Sequence, residues 1–464
     1  MYITPLFLPN LLRIQRNSFL NFLEYGIKKE IQKLGIIVDK KKNIKIIFYP
    51  KLYQLGLPNF NCNDCILNSE TYFCELSLPI KFISKKTIVI WVILNNIPIM
   101  TNNCHFILNG APRIIMSQIT RCPGIYYHKK QEFLKKDAYY YADIIAERGT
   151  WLRLEIDLKN RIYLKMKKAP KVPFLFFLQA LGLKTQTIYP FLPFLFLRDE
   201  EEEEEDPIFT SQKEAIRAVE ACCSNSSKKN MSLNWNVLNL FDQLMNNKYY
   251  DLGKIGRIQI NKKFKLYTDS IDFTLNSNDL LLAANLLLKL KHGLFEIDEV
   301  DNLKNKRVRI VGELLQYQLT IGILRLKKYI KNRLINLKDD LNITSIFSST
   351  PINNTMAEFF GLNPLSQFMD EINPLAVVTH KRRLSSLGFG GVSRDTATLT
   401  IRSIHPTLYG RICPIETPEG KNAGLVNSFS LFADVEDGDL IRTPLFKMKG
   451  GHILYNNGIN YLSA

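Results

Sequence analysis

The chain has 464 residues, 46% of them hydrophobic and 23% charged, which is too apolar for a disordered polypeptide and long enough for about two to four domains of ~150 residues. Lys+Arg number 61 against Asp+Glu 44, a net charge of +17 that favours a polyanionic partner, with nucleic acid ahead of an anionic membrane surface. Eight irregularly placed cysteines exclude a disulfide scaffold, and no stretch reaches the roughly 18 uninterrupted apolar residues of a membrane span.

The N-terminal MYITPLFLPNLLRIQ lacks the charged start and apolar centre of a signal peptide and the Ser/Arg-rich texture of a transit peptide. A soluble protein in a reducing compartment is the expectation. Residues 11–34 space Leu12, Phe19, Phe22, Leu23 and Ile27 as a helix, and 44–49 and 87–94 read as strands. Asn109-Gly110 predicts a hairpin turn between 104–108 and 113–116. Within 121–306, the polar stretch 222–232 and the run Asp199 to Asp206 (eight acidic residues) predict a surface insertion or disordered loop at about 198–232. Residues 279–290 read as a helix capped by Ser277 or Asn278. A long helix follows, with Val311, Leu315, Leu319, Ile323 and Leu326 as its apolar stripe. From Phe359 onward glycine, proline and basic residues crowd a loop-rich segment.

The candidate chemistry is sparse. Cys62-x2-Cys65 with Cys74, Cys104 and His105 is the one metal-like set. Its spacing is unlike a zinc ribbon and its flanks read as strand, so reduced cysteines without a metal are expected. No phosphate-binding loop of the Gly-x4-Gly-Lys-Ser/Thr type and no nucleophile–His–acid set occurs, and no catalytic residue is assigned. The sharper feature is basic: His380-Lys381-Arg382-Arg383, then Ser385, the turn Gly388-Phe389-Gly390-Gly391, Arg394, Arg402, His405 and Arg411. Glycine admits backbone N–H groups close to phosphate and guanidinium clamps it. A solvated basic face is the plain alternative.

LSQFMD (365–370), NPL (373–375), THKRRLS (379–385), IHPT (404–407), YGRICPIETPEG (409–420) and GLVNS (424–428) stand in one stretch. FILNG (106–110), RGTWL (148–152), YDLGKIGR (250–257) and RVRIVGELLQ (307–316) precede them in order. Together they resemble the beta subunit of bacterial and plastid-type DNA-dependent RNA polymerase over nearly the whole chain, most weakly across 185–245.

The resemblance implies an α+β multidomain protein of mixed α/β character: a protrusion at 1–120 and 307–366, a lobe at 121–306, and the beginning of the fork at 367–464. It implies that Gln367, Phe368, Asp370, His380, Arg383, Ser385 and Leu387 line a rifamycin-type pocket beside the RNA path. Arg383 and His380 would donate to phosphate, oriented by Asp370 and Gln367. Gly388, Phe389, Gly390, Gly391 and Arg394 would face downstream DNA as a fork loop. Phe389 replaces a usual proline, which predicts a looser loop and an aromatic ring able to stack on a base. Leu408 and Lys421 replace a usual histidine and proline.

Implied partners are a second, C-terminal beta polypeptide, alpha subunits, a beta-prime-type subunit, a sigma factor, double-stranded DNA and the RNA–DNA hybrid, with no membrane. This chain would bind no cofactor itself, and Mg²⁺ would be held by the beta-prime-type subunit. The chain reads as the N-terminal part of a split beta subunit, a non-autonomous part of a nucleotidyltransferase. The Asn, Ile and Lys bias suggests an organelle gene, hence the plastid stroma or nucleoid of a green alga, with a bacterial cytoplasm as the alternative. Two other readings stand beside it: a free-standing nucleic-acid-binding protein, and a zinc-dependent regulator built on Cys62, Cys65 and Cys74.

Overall fold

The structure is a computed structural model, and it describes residues 9–39, 44–83, 87–131, 138–157, 161–166, 170–192, 211–227, 244–246, 249–266, 272–336, 346–435, 440–454 and 458–464. Asp199 to Asp206 lies outside them. The chain divides into two compact units, Met1–Thr120 with Asp301–Ala464, and Arg121–Val300. Both contain helices and sheet, several sheets in the first unit and one in the second among the described residues, the mixed α/β character expected.

In the first unit, α1 (Arg13–Asn21), a π-helical turn (Phe22–Gly26) and α2 (Ile27–Gln32) realise the helix expected at 11–34. A five-stranded sheet follows, from β1 (Ile36–Asp39), β2 (Ile44–Phe48), β3 (Gln54–Leu55), β4 (Phe73–Ile83) and β5 (Thr87–Pro98). Cys62-x2-Cys65 does not sit among strands as expected but forms α3 (Cys62–Leu67), with Cys65 turned into the protein. β6 (Phe106–Leu108) and β7 (Ala111–Ile115) form the expected hairpin. Asn109 and Gly110 take left-handed φ of 49° and 76°, the twist a two-residue hairpin turn needs. β8 (Ser117–Arg121) ends this part of the chain.

The second unit is built on an antiparallel meander of β9 (Gly124–Gln131), β10 (Ala138–Ile145), β11 (Leu152–Ile156), β12 (Ile162–Met166) and β13 (Val172–Pro173). One sheet face supplies Ala142, Ile144, Leu154 and Leu164 to the core. Over it pack α4 (Phe174–Ala180), α5 (Thr185–Ile188), α6 (Gln212–Ser227), α7 (Gly253–Phe264) and α8 (Ser277–Lys291). Part of the stretch expected as a loop is therefore helical. The i, i+4 pair Ala215 and Val219 in α6 is buried, and Gln212 Nε2 donates to the Ala180 carbonyl at 3.0 Å. α8 is capped one residue earlier than expected: Asn276 and Asp279 form a reciprocal capping box. Asp279 also holds Arg257, at 2.8 Å, in a buried ion pair whose guanidinium donates in addition to the Asp272 and Thr274 carbonyls. Such a pair tolerates burial only because its remaining donors are satisfied.

Back in the first unit, β14 (Lys306–Arg309) leads into the long helix α9 (Val311–Asn336) and α10 (Thr350–Leu362). Val311, Leu315, Leu319, Ile323 and Leu326 are buried against the five-stranded sheet and α1, as the apolar stripe predicts. Glu30, buried in α2, accepts from Lys33, Gln316 and Thr320 and so ties α2 to α9. β15 (Ser366–Phe368) joins the β6–β7 hairpin. After α11 (Pro374–Lys381), β16 (Arg383–Ser385) lies between β8, parallel to it, and β17 (Val426–Ser428), antiparallel. β18 (Asp434–Val435), β19 (Ile441–Phe446) and a strand at Ile459–Ser463 form a last small sheet. Among the described residues no helix is long and apolar enough to cross a membrane.

Candidate nucleic-acid interface

The basic cluster begins at the end of α11, a helix that the loop-like texture of the segment conceals. Asn373 caps it by accepting from Ala376 N–H at 2.7 Å, and Pro374 takes the first turn, where its missing N–H costs nothing. His380 and Lys381 fall in the last turn, where positive charge suits the helix dipole.

The four basic residues are not one phosphate clamp. His380, Lys381 and Arg382 are buried and Arg383 is half-buried. The Arg382 guanidinium donates to the carbonyls of Leu11 (2.8 Å), Ser430 (2.6 Å) and Leu431 (3.2 Å). His380 lies between Asp370, whose N–H donates to Nδ1 at 3.2 Å, and Gln367, whose Oε1 is 3.1 Å from Nε2. The first bond makes Nδ1 an acceptor, so the ring proton sits on Nε2 and is donated to Gln367. Burial, then the Arg383 charge, hold the imidazole below its ordinary value of 6.5, so it is neutral near pH 7. His380 thus spends both nitrogens inside the protein, and the phosphate donor expected there is replaced by a group that positions Gln367 and the 370–372 backbone.

Arg402, His405 and Arg411 are also engaged within the protein. Arg402 donates to the carbonyls of Lys421 (2.9 Å) and Ala423 (2.8 Å), and Arg411 to those of Thr407, Tyr409 and Leu462. His405 Nδ1 is 2.7 Å from Thr407 Oγ1. In a segment poor in helix and strand, these side chains satisfy backbone acceptors that a ladder would otherwise pair.

What faces outward is aromatic and cationic. Phe368 is 63% exposed, with the Arg113 guanidinium 4.2 Å from its ring centroid, and Arg113 is held in turn by the Phe360 carbonyl. Arg383, on β16, shows no side-chain hydrogen bond or ion pair among the described residues. Ser385 is fully buried and accepts from Leu387 N–H at 3.2 Å, and Leu387 packs on Leu425 and Val426. The structure therefore links Gln367, Asp370 and His380 as one network and places Ser385 and Leu387 beneath the surface. Arg394 is apart, in an exposed turn braced by Ser393 and Thr396.

The glycine turn is tied rather than loose. Gln118, wholly buried on β8, donates through Nε2 to the carbonyls of Leu387 (2.9 Å) and Phe389 (3.0 Å). Gly391 N–H reaches the Gly388 carbonyl at 3.0 Å, and Val392 N–H the Ser386 carbonyl at 2.9 Å. A Cβ on Gly391 would lie 2.3 Å from the Ser386 carbonyl oxygen, so only glycine fits. Phe389 stacks on Tyr317 of α9 (centroids 5.7 Å apart, planes at 27°) and still exposes 71% of its surface. Arg309 lies 5.4 Å from the Tyr317 ring and pairs with Glu313 at 3.1 Å. Gln118, Tyr317 and Arg113 escaped the sequence reading as site residues because 70 or more positions separate them from what they support, and Arg309 because it acts through Tyr317; the motifs at 106–110 and 307–316 ran nearest to them.

For metal, the residues offer little. Among the described residues no three His, Cys, Asp or Glu side chains are grouped to hold an ion. Burial pushes the Cys65 and Cys74 thiols up. The zinc reading has no ligand set there.

Residues 121–309 match the family described as RNA polymerase Rpb2, domain 2, and residues 367–435 match RNA polymerase Rpb2, domain 3. The chain is 38% identical to the DNA-directed RNA polymerase subunit beta N-terminal section of Stigeoclonium helveticum, covering 100% of this chain and 81% of that one. It belongs to the DNA-directed RNA polymerase beta-subunit family. It is also 60% identical to the beta subunit of Bigelowiella natans over its full length, and 40% identical to that of Oltmannsiellopsis viridis over 98% of it. The chain spans 42% and 37% of those two relatives. Within this beta-subunit family the exposed Phe368 and Phe389 and the half-buried Arg383 fall in the region matched to domain 3.

Proposed function

We propose that this chain is the N-terminal portion of a plastid RNA polymerase beta subunit and forms part of the cleft that holds DNA and the RNA–DNA hybrid. The protrusion is assigned to 1–120 and 307–366, the lobe to 121–306 and the fork region to 367–464. A second beta polypeptide completes the subunit, a split for which the relatives named as N-terminal sections give support. Alpha subunits, a beta-prime-type subunit and a sigma factor complete the enzyme, in the plastid stroma or nucleoid. The reaction is nucleotidyl transfer: the RNA 3′-hydroxyl attacks the α-phosphate of an incoming nucleoside triphosphate and pyrophosphate leaves, with Mg²⁺ held by the beta-prime-type subunit.

The share of this chain is grip and geometry. Arg383 and Arg394 neutralise backbone phosphates, which fixes register without reading sequence. Gln367, Phe368 and Asp370 form the wall beside the RNA, with His380, Ser385 and Leu387 supporting it from beneath. Residues 388–391 approach downstream DNA, Phe389 offering its outer face to a base. The observation that carries this reading is the pair of exposed aromatic rings, each backed by a ring or a guanidinium, in the same matched segment as Arg383, which shows no side-chain hydrogen bond or ion pair among the described residues. The test is retention of a nucleic-acid scaffold by the assembled enzyme as salt rises. Arg383→Ala and Arg394→Ala should each lower the salt slope by about 1. Unchanged salt stability in both would count against the assignment.

A further inference from the structure

The five-stranded sheet has two unlike faces. Ile37, Ile46 and Phe82 point into the core. The register places Ile36, Ile47, Lys81 and Val89 side by side on the opposite face, and Val38 and Lys45 in the next row. Trp91 and Ile93 continue that face along β5, opposite Pro79 and Ser77. Ile36, Val38, Val89, Trp91 and Ile93 are each 46–60% exposed. Single exposed apolar side chains need no explanation, but these five share one sheet face, two on β1 and three on β5, and Ile47 and Pro79 on the strands between them continue the apolar surface; such patches mark contact surfaces.

The chemistry of the occupant follows from what interrupts the patch. Lys45 and Lys81 are diagonal neighbours on this face, and neither forms an ion pair among the described residues. Their aliphatic stems extend the apolar surface while the ammonium groups stand over it. The carboxylate on the same face of β4, Glu75, lies beyond Ser77 at the far end of the strand. A phosphate backbone would call for rows of Arg and Lys. Here Trp, Ile and Val dominate around two cations, the composition of a protein interface.

We propose that this face docks a protein segment that lays apolar side chains over Trp91 and sets carboxylates against Lys45 and Lys81. The inference goes beyond the polymerase assignment and does not depend on it.

The test is photo-cross-linking from position 91, with Trp91 replaced by p-benzoylphenylalanine in the full chain within the assembly purified from its own cells, and sequencing of the cross-linked segment. The expected product is a protein segment with Asp or Glu beside Leu, Ile, Val or Phe. Its cross-link should be lost in the chain carrying Lys45→Glu and Lys81→Glu and kept with Lys45→Arg and Lys81→Arg. No cross-link, a segment without carboxylates, a second copy of this chain, lipid, nucleic acid, or indifference to charge reversal would overturn the proposal. Hydroxyl-radical footprinting of native Trp91 needs no substitution and covers the case in which the reversed chain misfolds. Oxidation should be slower in the assembly than in the free chain, with the protection lost at high salt, whereas equal oxidation would contradict docking.

Discussion

Arg382 and Arg383 are adjacent in sequence and do different work. Arg382 is buried and serves three carbonyls from two distant segments, so Arg382→Ala leaves several acceptors unpaired. A loss of about 2–4 kcal/mol in urea unfolding is expected. Arg383→Ala should stay within about 0.5 kcal/mol of the parent, as a substitution that orphans nothing. His380 gives the pH dependence. Its folded-state value lies below the unfolded 6.5, so the unfolded chain takes up the proton more readily. Its stabilising contribution is complete above pH 6.5 and falls as pH drops below that value. An NMR titration should find the His380 midpoint below 6.5, with the 370–372 amides following it. A midpoint at or above 6.5 would contradict the neutral, doubly bonded imidazole.

At the scale of elements, the 386–392 turn is set by contacts from β8 and α9. Tyr317→Phe should preserve the stack on Phe389, while Tyr317→Leu should weaken it. With 2-aminopurine at the downstream edge of a scaffold bound to the assembled enzyme, the first variant should quench like the parent and the second less. Equal quenching in both would mean that Tyr317 does not position the ring. In the second unit, Asn276→Ala removes the capping box of α8 and should cost about 1 kcal/mol, read by thermal unfolding. The elements legible in the sequence had strong local signals: the Asn109-Gly110 turn, the heavy apolar stripe of α9 and the run of leucines in α8. Among those missed were α3, α6 and α11. α3 spans only six residues, α6 buries the small residues Ala215 and Val219, and α11 hides its cap among prolines and basic residues.

At the scale of the molecule, each of the two units has its own core. The family motifs of the candidate interface fall in the stretch matched to RNA polymerase Rpb2, domain 3, which exposed and buried residues share. They did not separate the two groups: three of the four residues in 380–383 are internal, and the charge assigned to phosphate binding is partly spent on loop carbonyls. That division depends on partners such as Leu11, Ser430 and Leu462, which no local spacing reveals. The measurement that tests the central claim most directly is a native pull-down on this chain, with mass spectrometry of everything kept through a high-salt wash. The account predicts a second beta polypeptide together with alpha and beta-prime-type subunits. Recovery of the chain alone, still able to bind nucleic acid, would contradict it and leave a free-standing binding protein.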